Sequence, residues 1–311
     1  MVPEARLSVR EIDRNEGLKN AVRDLALFGI SLVSVVDTCL VASAFAAARD
    51  TLDSLSHDPS LAAAYSIPPD ISSARASGYH GSGCMSSKYN AYREGFVFSD
   101  RCLAVGVEGH PAFEPSCRNL HRLLYGTANS LLSALLSEMG DQRTDIGSTN
   151  NDATRSLLQP IDRSDCCQWH IKRFHRPSAG ANTDDDPSLL WLPTHMDPSL
   201  LSIVVHDRPA SSTGGAGLQY FYDNNWHDVP VSGHDVAIIL VGSVLPVFTP
   251  CRHRVRMTKI GEEDDAGHHR MAATLFLRPR PEEKLSKNGL TYEHWLARTA
   301  KRYDASKKWR V

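Results

Sequence analysis

The 311-residue chain lacks any apolar run near the ~20 residues that a membrane span requires, so no transmembrane segment is expected. It lacks a charge excess as well. Thirty-four Lys+Arg meet thirty-six Asp+Glu, a net charge of −2, which removes the electrostatic case for nucleic acid or an anionic membrane surface. Its seven cysteines (Cys39, Cys84, Cys102, Cys117, Cys166, Cys167, Cys251) are odd in number and form no CxxC pair. That speaks against a disulfide framework or a thiolate zinc site and for a reducing compartment. No internal repeat is visible, and the opening MVPEARLSVREIDRNEG is charged where a signal peptide would be apolar. These absences lead to the expectation of a cytoplasmic protein with no nucleic acid and no membrane as partner, and a monomer is expected.

What is present is 41% apolar residues, enough for a sizeable core at this length. Helical periodicity dominates the first 140 residues. Leu18, Val22 and Leu25 share one face before a stop at Gly29, and Asp37 can cap a helix through AFAAARDTLDSL. A longer helix follows Pro115, with Leu120, Leu123, Leu124, Leu131, Leu135 and Met139 on one stripe up to Gly140. From about Cys166 the character changes. WHIKRFHR, LLWLPTHMD, SIVVHD, GLQYFYD, WHDVPV, DVAIILVG, LPVFT, HRVRM and MAATLFLRP are short runs rich in β-branched and aromatic residues, separated by turn signals. Many short strands at this spacing predict a sandwich or jelly roll rather than βαβ units. TYEHWLARTAKRY predicts a closing helix. The fold class expected is α+β with a mainly β core: a helical N-terminal lobe over 1–150, then a β barrel with a C-terminal helix over 151–311.

His195 and Asp197 stand two apart, so in a strand they share a face. With fourteen histidines in the chain, one such His-x-Asp is expected by chance, and it gains weight only with His253, 56 residues further along the chain. Two imidazoles and one carboxylate form the facial set that suits Fe(II) and leaves open coordination positions. The same set suits catalytic zinc, which keeps hydrolysis as a rival. Arg270 is the natural bidentate partner for a carboxylate and is expected near the start of a strand neighbouring that of His253.

The run HMDPSLLSIVVHD (195–207), followed by GLQ (217–219), WHDVP (226–230), HRV (253–255), Arg270 to Ala272 and Pro279, resembles the isopenicillin N synthase-like Fe(II)/2-oxoglutarate oxygenases. The resemblance is strong over about 165–280 and weaker over LKNAVRDLALFGISLVS. It implies a double-stranded β-helix and the cofactors Fe(II), 2-oxoglutarate and O2. It also implies iron ligands at His195, Asp197 and His253, which are the catalytic residues, and Arg270 binding the distal carboxylate of 2-oxoglutarate. Where the family has a tyrosine and a serine hydroxyl near that carboxylate, this chain has Phe174 and Ala272. Lys172, on one strand face with His170 and Phe174, can substitute for the lost hydroxyls. The segment GYHGSGCMSSKYNAYREGFVF (78–98) corresponds to a strand pair on the substrate side of the family's pocket, making Lys88, Tyr89, Tyr92 and Arg93 candidates for substrate contact.

The activity expected is oxidation of a small, carboxylate-bearing metabolite by hydrogen abstraction, giving hydroxylation, desaturation or ring closure in specialised metabolism. Two rivals are an oxidase of this fold that does not use 2-oxoglutarate and a non-catalytic jelly-roll binding module. The other histidines are assigned lesser roles: His206, His227 and His234 to solvated strand ends, and His268 and His269 to an acidic loop as a candidate second metal site. Cys166 and Cys167 are expected as a packed pair.

Overall fold

A computed structural model describes residues 7–12, 15–67, 77–81, 92–99, 102, 104–141, 156–159, 161–175, 190–207, 217–230, 233–245, 248–256, 270–285 and 289–307. In chain order its elements are β1 (Val9–Arg10), α1 (Asn15–Phe28), β2 (Ile30–Ser34), α2 (Thr38–His57), α3 (Pro59–Tyr65), β3 (Gly78–His80), β4 (Arg93–Phe98) and α4 (Phe113–Asp141). Then come β5 (Gln168–Phe174), β6 (Leu190–His195), β7 (Leu201–His206), β8 (Leu218–Tyr222), β9 (Asn225–Asp228), β10 (Val236–Val241), β11 (His253–Arg256), β12 (Arg270–Leu277) and α5 (Tyr292–Lys307).

The helix boundaries follow local chemistry. The Asp37 carboxylate accepts from Leu40 N at 2.8 Å and starts α2, and Asp58 caps α3 just before Pro59. Gly29 ends α1 with φ +71°, a left-handed cap that returns its N–H to Leu25 O and turns the chain directly into β2. Pro115 lies in the first turn of α4, where its missing N–H has no helical partner to lose.

Two sheets face each other. The large one has eight strands in the order β1-β2-β10-β7-β12-β5-β4-β3, and the small one runs β6-β11-β8-β9. The first 150 residues are therefore not only helical: they give β1–β4 to the large sheet. Alternation along each strand divides the apolar residues into two cores. Trp169, Ile171, Val205, Ala273 and Leu275 point outward to meet Leu25, Phe45, Leu52, Leu120 and Leu131 of α1, α2 and α4. Phe174, Val204, Ile238, Leu240 and Ala272 point inward to meet Leu218, Tyr220 and Val255 of the small sheet. Covered on both faces, β7 and β10 are buried at every residue, which is why they read as continuous apolar runs. LPVFT was expected as a strand, but its described residues belong to none: Leu245 and Phe248 reach the outer core from a loop. Among the described residues no helix is long and apolar enough to cross a membrane.

Candidate active site

His195 ends β6 and His253 begins β11, and the two residues are direct cross-strand partners, so register brings the imidazoles together at 4.2 Å between centroids. Asp197 lies just past β6. Strand alternation therefore does not place it, as the sequence suggested. Instead, Ser243 holds its backbone, donating from N at 2.8 Å and from Oγ at 2.9 Å to Asp197 O. His195 Nε2 stands 3.4 Å from Asp197 Oδ1 and His253 Nε2 stands 3.7 Å from Oδ2, longer than strong charge-assisted hydrogen bonds. All three ligand atoms lie within 4.8 Å of one another. His253 and Asp197 are buried, and His195 is partly exposed.

Both imidazoles are aimed by the backbone. His195 Nδ1 lies 2.8 Å from Pro193 O, and His253 Nδ1 lies 3.1 Å from Cys251 O. A carbonyl only accepts, so each Nδ1 carries a proton and each Nε2 is the ring atom that faces Asp197. Burial and the neighbouring His195 lower the His253 pKa to about 4. Burial would raise Asp197, but His253, His195 and a hydrogen bond from Ser202 outweigh it and hold the carboxyl at about 2. Two imidazoles and one carboxylate converging on a single point are a donor set for a divalent transition metal.

Arg270 opens β12, which runs between β5 and β7 in the large sheet, so it is not on a strand adjacent to His253 and instead sits on the opposing layer. It is buried, its guanidinium carbon is 4.5 Å from the Phe174 ring centroid, and Nη2 donates to His206 Nε2 at 2.8 Å. An arginine only donates, so His206 accepts at Nε2 and carries its proton on Nδ1. Burial and the adjacent Arg270 charge push the His206 pKa well down, keeping it neutral. His206 is thus not a solvated strand end, as expected, but a buried orienting partner for Arg270. The signal in the sequence was its place at the end of a nearly continuous apolar run, where a polar residue needs a buried partner.

β7 connects the two groups: Ser202, bonded to Asp197, and His206, bonded to Arg270, are four residues apart on one face, about 13 Å along the strand. Ala272 lies between His206 and Lys172 in register, and Phe174 faces Arg270. Lys172 shares the inner face with His170 and Phe174, whereas Arg173 points outward to Glu94, Asp53 and Ser56. Tyr92 packs against the inner core, and Arg93 pairs with Phe174 across β4 and β5. Lys88, Tyr89, His268, His269 and Cys84 lie outside the described residues. His227 and His234 are half-buried. Cys166 and Cys167 are both free thiols, with Cys167 buried.

Comparison with known proteins gives three results. Residues 171–279, which hold the triad, Arg270, Lys172, Phe174 and Ala272, match the family model of the 2OG-Fe(II) oxygenase superfamily. No curated protein matches the chain. Among solved structures it shares the fold of a candidate oxygenase from Shewanella oneidensis, at 17% identity over 96% of this chain and 99% of that one, with TM-score 0.71. It is similar to the dioxygenase for auxin oxidation of rice, at 16% identity over 94% of each chain, with TM-score 0.64. It is also similar to a Neurospora crassa protein solved in complex with alpha-KG and thymine, at 10% identity over 97% of this chain and 98% of that one, with TM-score 0.64.

Proposed function

We propose, for a chain whose residues 171–279 belong to the 2OG-Fe(II) oxygenase superfamily, that the protein is an oxidoreductase oxidising a small carboxylate-bearing metabolite. The superfamily works with Fe(II), 2-oxoglutarate and O2. His195, Asp197 and His253 hold the iron, and the observation that carries the assignment is the convergence of their ligand atoms within 4.8 Å. Bound there, iron and 2-oxoglutarate supply the oxidising chemistry, with the co-substrate decarboxylated to succinate and CO2.

The residues of this chain bind and orient. The carbonyls of Pro193 and Cys251 fix the tautomers, and Ser243 fixes the backbone of the acidic ligand. Arg270, steadied by His206 and Phe174, takes the distal carboxylate of 2-oxoglutarate where the family's tyrosine and serine hydroxyls are missing. The apolar inner core around Tyr220, Val204 and Leu240 excludes water from the reacting face. An acidic substrate is supported by Lys172, half-buried on the inner face, because a cation withdrawn from water is stabilised by pairing with an anion. Small molecules are also what the solved relatives name, thymine with the Neurospora crassa protein and auxin oxidation for the rice one.

Succinate release from 2-oxoglutarate tests the reading. Purified protein with Fe(II), O2 and 2-oxoglutarate is expected to form succinate slowly without substrate, and Asp197→Ala is expected to lower this at least ~100-fold. Iron binding with O2 consumption but no succinate would favour the oxidase that does not use 2-oxoglutarate.

A further inference from the structure

The register across β7, β12, β5, β4 and β3 lines up His206, Ala272, Lys172, Gly95 and His80 in one inward-facing row. The adjacent row holds Val204, Thr274, His170, Val97 and Gly78. His80 is only 2% exposed. Its Nε2, like that of His170, is buried without a hydrogen-bond partner among the described residues. His170 packs edge-on against Phe276 at 4.9 Å, so a neighbouring ring fixes its position. Such orphaned ring nitrogens in a buried row ask for a ligand.

The position between them in the row carries no side chain. Gly95 stands between His80 and Lys172 and contributes no side chain, with φ +148° and a would-be Cβ only 2.8 Å from Lys172 Cα. His80 and Lys172 are therefore separated by two strand spacings, about 9.5 Å, with bare backbone beneath the gap. None of the five strands carries an acidic residue on this face, since Glu94 turns outward to Tyr79 and Arg173. Basic groups thus crowd one another here. Burial first, then the charges of Lys172 and Arg93, lowers the pKa of His80, and burial then Lys172 lowers that of His170. Burial and Arg93 do the same to Lys172.

We propose that Lys172, His80 and His170 form a carboxylate-binding subsite for the primary substrate, separate from Arg270, so that Lys172 holds substrate rather than 2-oxoglutarate. The subsite rests on the oxygenase reading for what is bound beside it, but its own chemistry is only that of an anion meeting one ammonium and two imidazoles. It names the acid group of the substrate as the part recognised on the β3–β5 side, away from the Arg270–His206 pair.

The test uses the full-length protein loaded with Zn(II) and saturating 2-oxoglutarate, titrated with trifluoroacetate and followed by fluorine NMR. Trifluoroacetate is expected to bind saturably and trifluoroacetamide not at all. Lys172→Met is expected to weaken trifluoroacetate at least tenfold and His80→Phe at least threefold, while Lys172→Arg retains binding. The affinity for 2-oxoglutarate, read separately from its Fe(II) charge-transfer band, is expected to stay within twofold in Lys172→Met. Absence of saturable binding, or binding indifferent to Lys172→Met, overturns the proposal. So does a tenfold loss of 2-oxoglutarate affinity in that variant, which would make Lys172 the co-substrate anchor. Wild-type protein that binds trifluoroacetate but gives no band would sink the oxygenase reading and leave the subsite standing.

Discussion

Single side chains in this protein act through the atoms that hold them. His195 and His253 are useful as donors because a carbonyl two residues earlier takes each Nδ1 proton. The resemblance over 195–272 picked out both histidines and Asp197, where the two-residue spacing alone would not have done so. The burial of His206 was signalled by the apolar run it ends, but its partner was not, because Arg270 lies 64 residues away and is met only through strand pairing. Its loss makes a sharp prediction. His206→Leu is expected to weaken 2-oxoglutarate about tenfold, about 1.5 kcal/mol, the low end for a lost buried hydrogen bond to a charged group, and to leave Mn(II) affinity unchanged. His206→Gln, which still offers an acceptor, is expected to recover most of that loss. Equal weakening in both variants, measured by titration of the band, would show that His206 only fills space.

At the scale of elements, β4 and β5 show how one strand pair serves two faces. Inward residues meet the site, while outward Glu94 receives Tyr79 OH at 2.7 Å, Arg173 Nε at 2.7 Å and the His175 ring at 2.9 Å. Burial would raise the Glu94 pKa, but these partners outweigh it and hold the carboxyl at about 2 against an ordinary 4.5. A folded-state pKa below the unfolded one contributes stability above pH 4.5 that disappears as pH falls toward 2. The difference corresponds to on the order of 3 kcal/mol, with about 2 kcal/mol already gone at about pH 3. Urea unfolding at about pH 5.5 and about pH 3 is expected to show this loss in wild type and a flatter response in Glu94→Gln; equal slopes would remove Glu94 from the acid limb. A methyl group at Gly95 has no room, because φ is +148° and the backbone lies close against β5. Gly95→Ala is expected to destabilise the fold by more than ~1 kcal/mol in the same assay.

Elements were legible where their signals are local. The α1 stop at Gly29 and the α2 cap at Asp37 need only near neighbours, and the short β runs after Cys166 announce themselves by composition. LPVFT misled because apolar residues buried from a loop look like a strand when periodicity is the only guide. β2 was hidden in a stretch dominated by helical periodicity, although its five residues pair with β10 inside the large sheet.

For the whole molecule, the sequence indicated the layered β architecture but not which sheet each candidate occupies. Placing Arg270 beside His253 assumed strand adjacency. The topology instead puts them on opposite layers, with His195 and His253 on the small sheet and Arg270 on the large one. That separation gives the site its depth. In the proposed reading the co-substrate spans from one layer to the other, with the proposed subsite on β3–β5 beside it.

At the centre stands the proposed joint action of the triad and Arg270 in holding iron and 2-oxoglutarate. Anaerobic titration with Fe(II) and 2-oxoglutarate, watching the weak visible charge-transfer band of the chelate, tests it most directly. The band is expected in wild type, absent in His195→Ala, and shifted to at least ~10-fold higher 2-oxoglutarate concentration in Arg270→Ala. Iron binding without any band in wild type would contradict it.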